Sequence, residues 1–373
     1  MLSEHPKKWG VPQIFTKPYN RDTMREYVKK MIDCVNTDSS PGVPLSNVGP
    51  TNEAVFDKLG EEVIDMTLNR IENLLTLDVQ SMTPKDMIEN DCCDPVRLFV
   101  KNEPHKIEKL KEGRARLISS VSLVDKLVEM VLNYHINKQE IANWRNLDYC
   151  PGMGFTRGDS SHIYNKAMKN RKVAEADISG WDWSVKDWMI EWDTDFRIRS
   201  CEETLPWYHT VMKNRAKCLI NSILQLSDGI LIGHPPGLQL SGSFNTSSTN
   251  SHMRKMVALL VGALWCFAMG DDSLEDFVDN AKQKYIDLGL VCKDYKLVEK
   301  SFDFCSHHYT RYGAYGTGIA KSVMNLLHQP DHLSTLSLKM MTQEVEEELA
   351  FNPAWQKCLV ALIGMGWYAK ILC

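Results

Sequence analysis

The chain has 373 residues, 43% of them hydrophobic and 24% charged, with a formal net charge of −5. This is the composition of an ordinary globular protein, built as about two domains or as one multi-lobed enzyme. The longest apolar run, residues 257–270, spans 14 residues and is too short for a membrane-spanning helix. The acidic balance excludes an overall electrostatic pull on nucleic acid but leaves room for a local basic channel.

Eleven cysteines contain no CxxC pair, and Cys92-Cys93 is poor zinc spacing, so they read as reduced cytosolic thiols. The N-terminus, MLSEHPKKWG, is polar and reads as no signal peptide. The apolar end, Ala-Lys-Ile-Leu-Cys, reads as the trimmed edge of a larger precursor.

In chain order, Ser39-Ser40-Pro41-Gly42-Val43-Pro44 predicts a rigid turn, because Pro fixes φ and Gly permits positive φ. Val55, Phe56, Leu59, Val63, Met66 and Ile71 recur at helical spacing and predict a helix over 52–77. Residues 97–101 predict a short strand. Residues 122–144 predict a helix with Leu123, Leu127, Met130, Val131 and Tyr134 on one side. A strand over 173–178 ends in an acidic loop, and a helix is expected over 182–199. A Gly/Pro-rich loop over 233–242 leads into a helix over 244–260. An apolar strand over 264–269 then turns at Gly270-Asp271-Asp272 as a hairpin.

Three constellations carry chemistry. Asp177 and Asp271-Asp272 end separate predicted strands. If those strands are neighbours, their carboxylates converge as hard oxygen donors for divalent cations. Gly-Asp-Asp alone is equally an ordinary turn, and Asp182 alone is equally a helix cap. The segment Ser241 to Asn250 is small and polar apart from Phe244, a poor stand-alone helix but a good surface for a ribose. Thr246 and Asn250, four apart, share a helical face. From Lys101 to Arg116, six Lys/Arg stand against three Glu, a local +3 that suits a triphosphate channel or a solvated loop.

Together these pieces resemble the viral RNA-dependent RNA polymerases. Asp177-x4-Asp182 is similar to their motif A, Ser241-Gly to Asn250 to motif B, and Gly270-Asp271-Asp272 to motif C. Lys101-x-Glu103 with Arg116-Leu-Ile is similar to motif F. Ser40-Pro-Gly42-Val-Pro44 is similar to the template-side motif G, and Phe302-Asp-Phe-Cys305-Ser306-His307 to the primer grip. All fall in the family's order. Phrases such as VKNEPHK, DISGWDWSV and FDFCSHH look nearest to sobemoviruses, poleroviruses and sobemo-like relatives of positive-strand type.

The resemblance implies an α+β right-hand fold with fingers, a palm of antiparallel sheet flanked by helices, and a small helical thumb. Residues 1–172 would be fingers with an N-terminal extension, 173–200 palm, 201–232 fingers, 233–308 palm and 309–373 a short, incomplete thumb. Asp177 and Asp271 would hold two Mg²⁺ or Mn²⁺ ions, with Asp272 auxiliary. Asp182, Ser241, Thr246 and Asn250 would sense the ribose, and Lys101, Lys109, Arg114 and Arg116 the triphosphate. Lys293 and Lys296 are both open as the general acid. Template and product RNA, NTPs, other viral replication proteins and a genome-linked primer protein are the implied partners, with protein-primed and de novo initiation both open. Localisation would be the host cytoplasm, in replication complexes whose membrane contact comes through partners.

Two rivals stand beside this. A reverse transcriptase shares the palm but usually carries an aromatic residue where this chain has Met269. A non-catalytic RNA-binding scaffold is disfavoured by four intact aspartates.

Overall fold

The computed structural model describes residues 8–101, 103, 105, 107–169, 172–327, 335–355, 357 and 358. The first half is mainly helical. Helix α1 (Arg21–Ile32) is capped by Asn20 and α2 (Asn52–Thr76) by Thr51, each side chain accepting a first-turn N–H. A reciprocal Thr83/Asp86 capping box opens α3 (Pro84–Glu89). Strand β1 (Val96–Val100), α4 (Ile107–Lys111) and β2 (Leu117–Ser120) lead to α5 (Leu123–Asn143), capped by Ser122. Then come α6 (Arg157–Met168), β3 (Val173–Ile178), α7 (Trp181–Ser184), α8 (Asp187–Ser200) and α9 (Pro206–Ile220).

The short strands β4 (Leu224–Gln225) and β5 (Leu231–Ile232) precede α10 (Thr246–Val261). The hairpin β6 (Cys266–Met269) and β7 (Asp272–Asp276), α11 (Ala281–Asp287) and β8 (Cys292–Val298) complete the region around the carboxylates. Strands β9 (Phe302–Phe304), β10 (His307–Thr310) and β11 (Gly313–Gly316) precede α12 (Ile319–Leu327) and α13 (Thr335–Leu349).

The central sheet has the order β6-β7-β3-β8 and every pairing in it is antiparallel. A second sheet, β2-β1-β4-β5, joins strands from either side of the central region, and β11-β10-β9 forms a third. The chain is therefore α+β with largely antiparallel sheets. Helices α8, α10 and α11 pack under the central sheet through Met189, Ile190, Met253, Val257 and Tyr285. The N-terminal core gathers Val28, Leu68, Ile71, Leu127, Val131 and Tyr208 from α1, α2, α5 and α9. Truncating a fully buried residue there, such as Leu127, costs about 2–5 kcal/mol.

Several predicted boundaries shift. The helix expected over 182–199 is broken into α7 and α8, because Val185 has ψ 131° and its carbonyl accepts from Leu238 N at 3.0 Å instead of from a helical partner. The helix expected from 244 starts at Thr246, since Ser243 and Phe244 are tied to other elements (below). The strand expected from 264 starts at Cys266, because Gly262 at φ 111° ends α10 and the chain needs the next residues to reverse. The first strand runs one residue earlier than expected, as Val96–Val100. No described helix is long and apolar enough to cross a membrane.

Candidate active site

The acidic tip is built by pairing. Strands β3 and β7 pair from Val173↔Asp276 to Ala176↔Ser273, and one further step of that register sets Asp177 opposite Asp272. Met269 pairs with Asp272, so Gly270-Asp271 is a two-residue hairpin loop, with Gly270 at φ 61° where an L side chain would be strained. Helix α10 fixes this tip from below. Ser251 Oγ accepts the Gly270 N–H at 2.8 Å, and buried Arg254 binds Glu275 of β7 at 3.1 Å.

The carboxylates crowd one another. Burial, then Asp271 and Asp177, push the Asp272 carboxyl up to about 6, while the Cys305 thiol and amide act in the opposite direction. Burial, then Asp271, push Asp182 up to about 6 as well, against the Asn250 amide and Arg116. Asp271 is thus a near neighbour of both. The cation nearest Asp177 is Lys293, whose Nζ lies 3.4 Å from Oδ2. Carboxylate oxygens in surplus over positive charge are the donor set a hard divalent cation neutralises. Among the described residues no group of three or more His, Cys, Asp or Glu side chains is placed to hold a metal ion. Mg²⁺ in general takes one or two protein carboxylates and completes its shell with waters and substrate phosphates.

Beside the tip, Asn250 is held at both ends. Its Oδ1 accepts the Trp181 indole N–H at 2.9 Å, and its Nδ2 donates to Asp182 Oδ1 at 3.3 Å. Asp182 and Asn250, 68 residues apart, therefore form one polar unit with the tip aspartates. The orienting Trp181 was not singled out by sequence; its only signal was adjacency to Asp182.

Other residues of the Ser241–Asn250 segment face elsewhere. Ser241 Oγ accepts from Ser119 N at 3.1 Å and lies 3.2 Å from Ser119 Oγ. A side chain at Gly242 would meet Ser119 O at 2.2 Å, so only glycine lets the loop lie against β2. The Thr246 hydroxyl is turned onto the loop carbonyls of Leu240, at 2.9 Å, and Ser243, at 2.8 Å. Ser248 and Thr249 point into the protein, onto Glu140, Asp193 and Arg197. Much of the segment's polarity thus serves buried hydrogen bonding rather than an open surface.

The basic segment converges on Glu103. Lys101 Nζ is 3.1 Å, Lys321 Nζ of α12 3.0 Å and Arg116 Nη1 3.5 Å from its carboxylate. Although burial opposes ionisation, bonds from Lys321 and Lys101 hold Glu103 down at about 2. Arg116 is also close enough to act on Asp182. Arg114 is exposed and pairs locally with Glu112. The side chain of Lys109 lies outside the described residues.

A family model described as viral RNA-directed RNA-polymerase matches residues 20–323. The chain belongs to the viral RNA-directed RNA polymerase family. This chain is 40% identical over 380 residues to the Replicase polyprotein P2AB of Southern cowpea mosaic virus, covering 96% of this chain and 38% of that protein. It is 39% identical over 297 residues to Protein P1-P2 of Turnip yellows virus, covering 75% of this chain and 28% of that protein. With the RNA-directed RNA polymerase of Mushroom bacilliform virus it shares 33% identity over 319 residues, covering 79% of this chain and 76% of the relative. The chain thus spans well under half the length of the first two of these relatives.

The remaining predicted residues lie on β8, at the β9–β10 turn and against the start of α5. Strand β8 bulges beside Asp177: Asp177 pairs with Asp294 and Ile178 with Cys292, which leaves Lys293 as the extra residue, re-aimed at Asp177. Lys296 instead sits opposite Glu175, further along β3. Cys305 and Ser306 have φ 50° and 59° and form the β9–β10 turn that reaches Asp272. His307 stacks on Phe155 with ring centroids 3.9 Å apart. The turn at Ser40, Gly42 and Pro44 docks on the start of α5: Pro41 O accepts from Leu123 N at 2.8 Å, and a Cβ on Gly42 (φ 67°) would lie 2.9 Å from Val121 O.

Proposed function

We propose that the chain copies an RNA template by adding ribonucleotides from NTPs to an RNA 3′ end, through two-metal nucleotidyl transfer, in replicating a positive-strand viral RNA genome. The observation that carries this reading is the convergence of Asp177, Asp271 and Asp272 at one tip, beside the Asp182–Asn250 unit. Asp177 and Asp271 are the proposed metal ligands, with Asp272 auxiliary and held by the Cys305 turn. Bound there, two Mg²⁺ or Mn²⁺ ions supply activation of the 3′-hydroxyl and neutralisation of the triphosphate charge.

The chain's own groups do the rest. Asp182 and Asn250 bind the ribose hydroxyls, while Ser241 and Thr246 shape the loop beneath them. Lys101, Lys109, Arg114 and Arg116 receive the triphosphate, Lys101 and Arg116 by exchanging Glu103 for phosphate. Lys293, rather than Lys296, protonates the leaving pyrophosphate, because the bulge in β8 puts it at Asp177. Residues 173–200 and 233–308 act as palm, 1–172 and 201–232 as fingers, and 309–373 as thumb, linked to the fingers through Lys321–Glu103. Template and product RNA are the partners, joined by further viral replication proteins, including a genome-linked primer protein where initiation is protein-primed. The site of action is the host cytoplasm, in replication complexes that reach membranes through those partners.

The test is extension of a primed RNA template with NTPs or dNTPs in Mg²⁺ and in Mn²⁺. Ribonucleotide addition is expected, with loss of extension but retained RNA binding in Asp271→Asn. RNA binding without extension under every condition sinks the reading.

A further inference from the structure

The loop leading into α10 is fixed from an unexpected side. Its ends are apolar: Leu240 is buried with Val96 and Val121, and Phe244 stacks on Tyr134. Between them Ser241, Gly242 and Ser243 have no apolar anchor. Ser119 of β2 holds one flank. On the other flank, Glu129 of α5 accepts from Ser243 Oγ at 2.6 Å and from Phe244 N at 2.8 Å, both through Oε2.

Glu129 is itself immobilised. Its side chain is 1% exposed, and its Oε1 accepts from Arg215 Nη2 at 2.7 Å. Arg215 and Arg70 both bind Asp125 Oδ1, at 2.9 and 3.0 Å, and Arg70 continues to Asp94 at 2.6 Å and to Asp91. Every described partner of the Glu129 carboxylate is a donor, and while Arg215 holds Oε1, Oε2 keeps its two loop donors only while the loop stays seated. Behind the loop lies a cavity of mixed lining, with Glu129, Arg215 and Gln239 beside Leu132, Leu219 and Leu240. The loop's ends are held by packing and its middle, Ser241 to Ser243, by these hydrogen bonds.

The loop in turn joins two parts of the site. Gln239 N donates to Asp182 O at 2.8 Å, and Ser241 is bonded to Ser119, three residues beyond Arg116. We propose that Glu129 is a positioning residue for nucleotide binding, holding the Ser241–Phe244 loop in the register that places the ribose-facing and triphosphate-facing segments together. This deepens the polymerase reading above and rests on it.

The experiment compares the full chain with Glu129→Gln and Ser243→Ala. It reads KM and kcat for NTP in primed extension, and hydrogen–deuterium exchange over residues 239–246. Glu129→Gln turns an amide NH₂ toward either the Phe244 N–H or Arg215, which only donate, and it is expected to raise KM by about 10-fold, with kcat changed by less than about 3-fold. Ser243→Ala, which leaves the ion network intact, is expected to raise KM by about 3-fold. Both should speed exchange in the loop while the rest of α5 stays protected. Unchanged KM and exchange in both variants overturns the proposal. If Glu129→Gln does not fold, Ser243→Ala decides alone. If the unmodified chain extends no primer, the polymerase reading fails by that result, and the exchange data still decide whether Glu129 seats the loop.

Discussion

The Ser251 hydroxyl accepts the backbone N–H of Gly270 at 2.8 Å and ties the sixth residue of α10 to the hairpin that presents Asp271. The bond spans 19 residues and is made to backbone, so it orients the tip without touching substrate. Ser251→Ala leaves that half-buried N–H without its partner. The expected result is a fall in kcat of roughly 3- to 10-fold, from a net hydrogen-bond worth of about 1 kcal/mol. RNA affinity and the KM for NTP should stay close to wild type. Single-turnover incorporation separates these quantities, and a change in KM alone contradicts the role.

The Trp181–Asn250–Asp182 chain predicts a graded effect on sugar choice. Asn250→Ala or Asp182→Ala removes a group proposed to read the ribose and should weaken discrimination against 2′-deoxynucleotides by about 10-fold or more. Trp181→Phe keeps the ring but drops the indole donor, so Asn250 loses the bond that sets its amide orientation. A smaller loss of discrimination is expected. Competition between NTP and dNTP in primed extension measures all three; equal discrimination in Asn250→Ala and Asp182→Ala to that of wild type refutes ribose sensing.

The β8 bulge separates two lysines that sequence left equivalent. Lys293 lies 3.4 Å from Asp177 Oδ2, whereas Lys296 sits opposite Glu175. Lys293→Leu should slow the chemical step by about 10²-fold, the lower end of general acid catalysis. Lys296→Leu should change it by less than about 3-fold. Pre-steady-state incorporation rates decide, and the opposite ranking would move the general acid to Lys296.

How much was legible follows from the range of each signal. Strand β3 was placed to the residue, and α2 and α5 nearly so, because Val55, Val63 and Ile71 or Leu127 and Val131 repeat at helical spacing and Thr51 and Ser122 mark the starts. The antiparallel α+β class followed from the family resemblance that the motifs carry. The break between α7 and α8 was not legible, since it depends on Leu238, more than fifty residues away, bonding to Val185. Ser248 and Thr249 looked like an open polar face and instead meet Asp193, Glu140 and Arg197, partners that no local pattern reveals. The same limit hid Glu129, Trp181 and Ser251: each acts through a contact remote in sequence, and none has a distinctive local neighbourhood.

A last prediction concerns His135, buried in α5 against Phe15, with Nε2 3.7 Å from Cys201 Sγ and no hydrogen-bond partner on Nδ1 among the described residues. Burial first, and Arg197 second, lower its pKa from 6.5 to about 4. The folded protein therefore binds fewer protons at this site than the unfolded chain. The associated stability is present above pH 6.5 and is lost progressively as pH falls toward 4. By pH 4.5 the loss is about 2–3 kcal/mol. His252 does not blur this window. Burial lowers its pKa, but Glu140 and Asp193 raise it further, so its contribution is fully present below 6.5 and fades only at higher pH. Asp182 and Asp272, both raised to about 6, titrate inside the window and move total stability the other way. The informative quantity is therefore the difference between wild type and His135→Gln in urea unfolding at pH 7 and at pH 4.5. The variant should lose about 2–3 kcal/mol less than wild type on acidification, and parallel losses would show that His135 is protonated in the folded protein.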